Sequence, residues 1–94
     1  MPVEQTAPVS IAVLSIERLR AAGRILALAE VEFVVGGIGI ILCGCRIVAG
    51  PGGRLGMELP AYRHDGVSLA AVRLPVELCQ ALAETVIGEL RQLA

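Results

Sequence analysis

The chain has no tryptophan and no lysine, and only one phenylalanine, one tyrosine and one histidine. Phe33 and Tyr62 are its only aromatic rings, too few for the stacking platforms on which single-stranded nucleic acids are usually held. All eight basic residues are arginines, nine acidic residues outnumber them, and the formal net charge is −1. No overall positive field therefore draws in a polyanion. Charged residues are scarce at 18 % against 55 % hydrophobic, which excludes intrinsic disorder. So little polar surface does not comfortably clothe a small monomer, and self-association is expected.

Long apolar runs are also missing. The longest uncharged stretch, Phe33 to Cys45, is thirteen residues, whereas a membrane-spanning helix needs about 17–25. No membrane partner is expected. The opening residues carry Glu4 and no basic segment, so a secretory leader is not indicated and a cytoplasmic location is expected. Three cysteines with no repeated spacing do not make a disulfide framework. Cys43 and Cys45, two apart, are expected on one face of a strand. As a metal or redox pair they would need Cys79 or His64 to complete the set, and the second cysteine pair typical of a zinc site is missing. Burial as small hydrophobes is the expected role, with no metal and no cofactor.

The 94 residues suit a single domain. Residues 1–8 read as an arm, residues 9–74 as a β-sheet and residues 75–93 as a helix. Val9–Leu19 is the first strand, with Ile11, Val13 and Ser15 on one face and Ala12, Leu14 and Ile16 on the other. Arg20–Gly23 makes a turn. In Arg24–Val35 the residues Ile25, Ala27, Ala29, Val31 and Phe33 alternate with Leu26, Leu28, Glu30 and Glu32. Gly36-Gly37 signals a two-residue hairpin, because a type I′ turn requires positive φ at both centres. Ile38–Val48 returns. After the connector Gly50–Gly53 comes a short strand, Arg54–Leu59, then a loop over Tyr62–Gly66 and a last strand, Ser68–Leu74. From Pro75 the period changes: Cys79, Leu82, Ala83, Val86, Ile87 and Leu90 recur at helical spacing, with Glu77 near the positive end of the dipole.

This order predicts an α+β fold, an antiparallel meander of about five strands with one C-terminal amphipathic helix. One helix about 10 Å across covers half of one sheet face. The first three strands carry apolar residues on both faces, so a second copy is expected to cover the other side, giving a homodimer through the sheet.

Chemistry-bearing patterns are weak. The glycines at 50, 52, 53 and 56 precede a strand rather than a helix, and the spacing Gly39 to Gly44 is followed by Cys45-Arg46 instead of Lys-Ser/Thr. Neither makes a phosphate loop. His64, Asp65 and Ser68 are close in sequence, which does not make them converge, and Asp65-Gly66 reads as an exposed turn. Glu30 and Glu32, about 7 Å apart on one strand face, read as a solvated or ion-paired rim. No catalytic residue is expected. Arg18, Arg20 and Arg24 flank the first turn, and Arg54, Arg63 and Arg73 lie in the later half, so any nucleic-acid contact is expected at the Arg18–Arg24 turn or in the Arg54–Arg63 region.

Several segments resemble the stage V sporulation protein G family of small bacterial regulators. Ala27–Phe33 is similar to its second strand, and Gly44-Cys-Arg-Ile-Val-Ala-Gly50 to its strand ending in glycine. Gly53–Pro60 resembles its glycine-led strand closing with proline, Tyr62-Arg-His-Asp-Gly66 its basic loop ending in Asp-Gly, and Thr85–Leu90 the end of its helix. The resemblance as a whole covers about Val9 to Leu90. The resemblance implies a dimeric subunit that binds DNA or RNA in regulating gene expression or division. It puts the binding residues in the segment after Pro60, which here holds Arg63 and His64, with Arg54 nearby. A non-enzymatic regulator is thus the expectation. The alternative is a protein-interaction or structural module with no nucleic-acid partner.

Overall fold

In the computed structural model, which describes residues 9–20 and 23–93, the fold is α+β. The arm expected over residues 1–8 and the middle of the expected Arg20–Gly23 turn lie outside the described residues. Four strands form an antiparallel sheet in sequence order: β1 Val9–Arg18, β2 Ile25–Val35, β3 Ile38–Ala49 and β4 Leu55–Glu58. A separate two-stranded sheet follows, β5 Ala61–His64 and β6 Val67–Ala70, and the helix α1 Val76–Gln92 ends the described chain.

The long β2–β3 hairpin turns at Gly36 and Gly37, with φ of 57° and 81°, the left-handed pair that glycine adopts without steric cost. Alternation along β2 sets the inner face. Ala27, Ala29, Val31 and Phe33 are buried there, opposite Ile47, Cys45, Leu42 and Ile40 of β3. Helix α1 lays Leu82, Val86 and Leu90 on this face, with Leu78 and Ile87 packed at its flanks. Arg18 at the end of β1 donates from Nη2 to the Leu90 carbonyl at 3.1 Å. The bond takes up a carbonyl near the negative end of the helix dipole and ties α1 to the sheet edge.

Two irregularities change the expected faces. Register slips between Val13 and Ser15, so Val13 pairs with Val31 while Ser15 pairs with Glu30. Leu14 is the extra residue. Beyond it Ser15 faces outward and Ile16 turns inward to pack on the core, reversing the strict alternation expected for the first strand. A second slip lies opposite Ala29 and Glu30, which pair with Cys45 and Cys43. Gly44 between them has φ 87° and acts as the bulge residue. Cys43 and Cys45 consequently do not share a face: Cys45 is buried and Cys43 is exposed.

The segment Tyr62–Gly66, expected as a loop, is mostly strand. Ala61–His64 pairs with Val67–Ala70 around an Asp65-Gly66 turn with φ of 51° and 76°. The last strand accordingly spans Val67–Ala70 rather than Ser68–Leu74. No residue of this hairpin belongs to the core, and every residue of both strands is exposed. Its base is closed by the Ala71 amide donating to the Pro60 carbonyl at 3.1 Å.

On the outer face of the four-stranded sheet β2 presents Leu28, Glu30, Glu32 and Val34, and β3 presents Ile41, Cys43 and Arg46. Ile41 is 52 % exposed and the bulged Leu14 50 %. Apolar surface here alternates with carboxylates. Among the described residues no helix is long and apolar enough to cross a membrane.

Candidate nucleic-acid interface

The polar groups of greatest interest gather where the edge of the main sheet meets the β5–β6 hairpin. There a groove of ≈ 710 Å³ is lined by Arg24, Arg46, Arg63 and Glu58. Met57, Leu59 and Val72 supply apolar wall. Its charged groups come from four chain segments. Arg24 precedes β2, its carbonyl accepting from the Ala49 amide at 2.8 Å. Arg46 and Glu58 are direct partners across β3 and β4. Arg63 arrives from the middle of β5.

Glu58 is shared. Its Oε2 accepts from Arg24 Nη2 at 2.6 Å, and its Oε1 lies 3.3 Å from Arg46 Nη2. Arg63 donates from Nη2 to the Gly66 carbonyl at 3.0 Å, which holds its guanidinium over the hairpin turn. Three guanidinium groups against one carboxylate leave the groove with two formal positive charges, on a chain whose formal net charge is −1. Positive charge is thus concentrated locally although it is absent globally, an arrangement that attracts anionic groups to one place.

Of the three residues singled out in the sequence, Arg63 lines this groove, whereas Arg54 and His64 are not among its lining residues. His64 follows Arg63 along β5 and so projects from the opposite face of the hairpin, opposite Val67. There its Nε2 lies 3.4 Å from Asp65 Oδ2, with both side chains largely exposed. Arg54 is exposed just before β4, and its carbonyl accepts from the Gly50 amide at 2.7 Å. Sequence reasoning missed Arg24, Arg46 and Glu58 as a unit. They come from three segments, joined by the β3–β4 register and by the bond from the Ala49 amide to the Arg24 carbonyl.

Cys43, Glu30 and Ser15 form a second polar group, on the outer face. Ser15 Oγ donates to Glu30 Oε1 at 3.3 Å and Cys43 Sγ to Glu30 Oε2 at 3.5 Å. Glu30, expected on a solvated or ion-paired rim, is exposed and accepts from these two neutral donors. Accepting from the thiol, Glu30 stabilises its protonated form and pushes the Cys43 pKa above the ordinary 9.0. Cys43 is therefore a poor nucleophile near neutral pH. Cys45, enclosed in the core, is pushed up mainly by desolvation. With the two thiols on opposite faces, the pair cannot chelate one ion. Among the described residues no group of three or more His, Cys, Asp or Glu side chains is gathered in a form that could hold a metal ion.

The chain matches none of the protein-family models, curated proteins or solved structures with which it was compared.

Proposed function

We propose that this protein is a non-enzymatic, cytoplasmic regulator that acts as a homodimer and binds DNA or RNA, with the sugar–phosphate backbone lying in the groove beside Arg63. The observation that supports this reading is the convergence of Arg24, Arg46 and Arg63 on one groove, since guanidinium groups match phosphate oxygens in geometry and charge. The resemblance of Tyr62–Gly66 and its surrounding segments to the stage V sporulation protein G family supports the same segment and suggests a role in gene expression or septation. Contacts to the backbone alone carry little sequence information, so the binding proposed is weak and strongly salt-dependent. Arg63 is the principal contact. Arg54 and His64, outside the groove, contribute less. The half-exposed Leu14 and Ile41 on the outer sheet face support the second copy.

A second reading, a protein-interaction module without a nucleic-acid partner, is favoured by the apolar face of the hairpin. Tyr62 and Leu69 pair across it and Val67 lies beside them, and Tyr62 and Val67 are 52 % and 56 % exposed.

Fluorescence anisotropy with labelled single-stranded and duplex oligonucleotides separates the two. Two or three phosphate contacts on duplex DNA give a log–log salt slope of about −2 to −3, and Arg63→Ala lowers its magnitude by about 1. Binding that ignores both salt and Arg63, or no binding to any oligonucleotide at low salt, overturns the nucleic-acid reading.

A further inference from the structure

The two oxygens of Glu58 are each taken by a different arginine. We propose that Arg24 and Arg46 form a phosphate-binding clamp that the protein's own Glu58 carboxylate occupies, so that Glu58 is a built-in competitor for the ligand. This deepens the reading of the groove given above, on which its biological meaning rests.

The clamp is pre-positioned by backbone. Arg46 and Glu58 are register partners on adjacent strands. Arg24 is fixed by the bond from the Ala49 amide to its carbonyl. Two guanidinium groups converging on one small oxyanion are the arrangement by which proteins hold phosphate. A carboxylate with one charge and two oxygens is the weaker occupant, and a phosphate monoester brings up to two charges and three oxygens.

Displacement is also cheap. The side chains of Arg24, Glu58 and Arg46 are 60 %, 35 % and 31 % exposed, and ion pairs this open to water contribute little to stability. Glu58 can therefore swing into solvent when phosphate arrives, and no buried charge is left unpaired. Arg63, lining the same groove and bonded only to a backbone carbonyl among the described residues, supplies the third donor. The remaining cost is repulsion between the displaced carboxylate and the incoming phosphate. Glu58→Gln removes that repulsion while keeping the shape, and raises the formal charge of the groove from +2 to +3.

The test titrates the full chain with inorganic phosphate, and separately with one short oligonucleotide carrying or lacking a 5′-phosphate. Binding is read by calorimetry and by the arginine Nε–H NMR signals. Phosphate is expected to shift the Arg24 and Arg46 signals. Glu58→Gln is expected to bind phosphate about fivefold more tightly, and Arg24→Gln to abolish that gain in the double variant. Preference for the 5′-phosphorylated oligonucleotide assigns the clamp to terminal phosphate, and equal binding of both assigns it to the internal diester. Unmoved Arg24 and Arg46 signals, or a Glu58→Gln variant that binds phosphate no tighter than the parent, overturn the proposal. Should Glu58→Gln fail to fold, the signals of the unaltered protein still decide, because phosphate must displace Glu58 to move both. Oligonucleotide binding that depends on Arg63 but not on Glu58 would sink the clamp and leave the nucleic-acid reading standing. Phosphate binding relieved by Glu58→Gln, with no oligonucleotide bound, would do the reverse.

Discussion

Cys43 and Cys45 stand on opposite faces of the sheet although they are two residues apart on one strand. Gly44 between them has φ 87°, and this left-handed bulge consumes the residue that would have kept them together. One thiol hydrogen-bonds a carboxylate at the surface and the other is sealed in the core. Their chemistry diverges accordingly.

Alkylation should separate them. In the native protein iodoacetamide is expected to modify Cys43 but not the buried Cys45, and to modify Cys43 slowly at pH 7, because Glu30 holds its proton. Glu30→Ala removes the hydrogen-bond acceptor, and with it the charge, that raise the thiol pKa, so the rate is expected to rise and its pH midpoint to fall. Mass spectrometry of the time course checks both. Equal labelling of Cys45 without denaturant would contradict the buried placement.

Cys45 also makes stability depend on alkaline pH. Unfolding returns its thiol to the ordinary pKa of 9.0, below its raised value in the core. Above pH 9 the unfolded chain therefore holds fewer protons than the folded one, and stability falls with pH. The contribution is fully present below the unfolded value and is lost as pH rises through the folded one. Urea melts between about pH 8 and 11 in a Cys43→Ala background should show this decline, and Cys45→Ala should flatten it.

Gly88 lies inside α1, and a Cβ placed there meets nothing within 4 Å. Gly88→Ala is expected to stabilise the protein by about 1 kcal/mol. For a domain of this size that raises Tm by about 4–8 °C, readable by circular dichroism.

The bond from Arg18 to the Leu90 carbonyl joins elements 72 residues apart. Arg18→Ala is expected to cost about 1 kcal/mol, seen as a lower urea midpoint with the slope unchanged. The core is less forgiving. Leu82 has no exposed surface, and Leu82→Ala should cost about 2–5 kcal/mol, much of the stability of so small a domain.

How far the sequence could be read depended on whether a local pattern survives tertiary pairing. The Gly36-Gly37 turn, the inward Ala27–Phe33 series and the helix carrying Leu82, Val86 and Leu90 all follow from periodicity and turn chemistry, and each is found. The bulges at Leu14 and Gly44 were not legible, because each is defined by what lies opposite on β2. Tyr62–His64 looked like loop because a strand with no buried face lacks an apolar alternation. Arg63 was visible as a candidate from its position after Pro60. Arg24 was visible only as part of a separate basic turn, Arg18–Arg24; that it and Arg46 share a groove with Arg63 was not legible, since they lie 39 and 17 residues away in sequence.

The β5–β6 hairpin lends nothing to the interior, and this frees it to change. Replacing Tyr62, Arg63, His64 or Leu69 alters a projecting limb while the four strands and helix that hold the molecule together keep their contacts. Side chains on this limb can therefore be exchanged at little cost to the stability of the rest of the polypeptide.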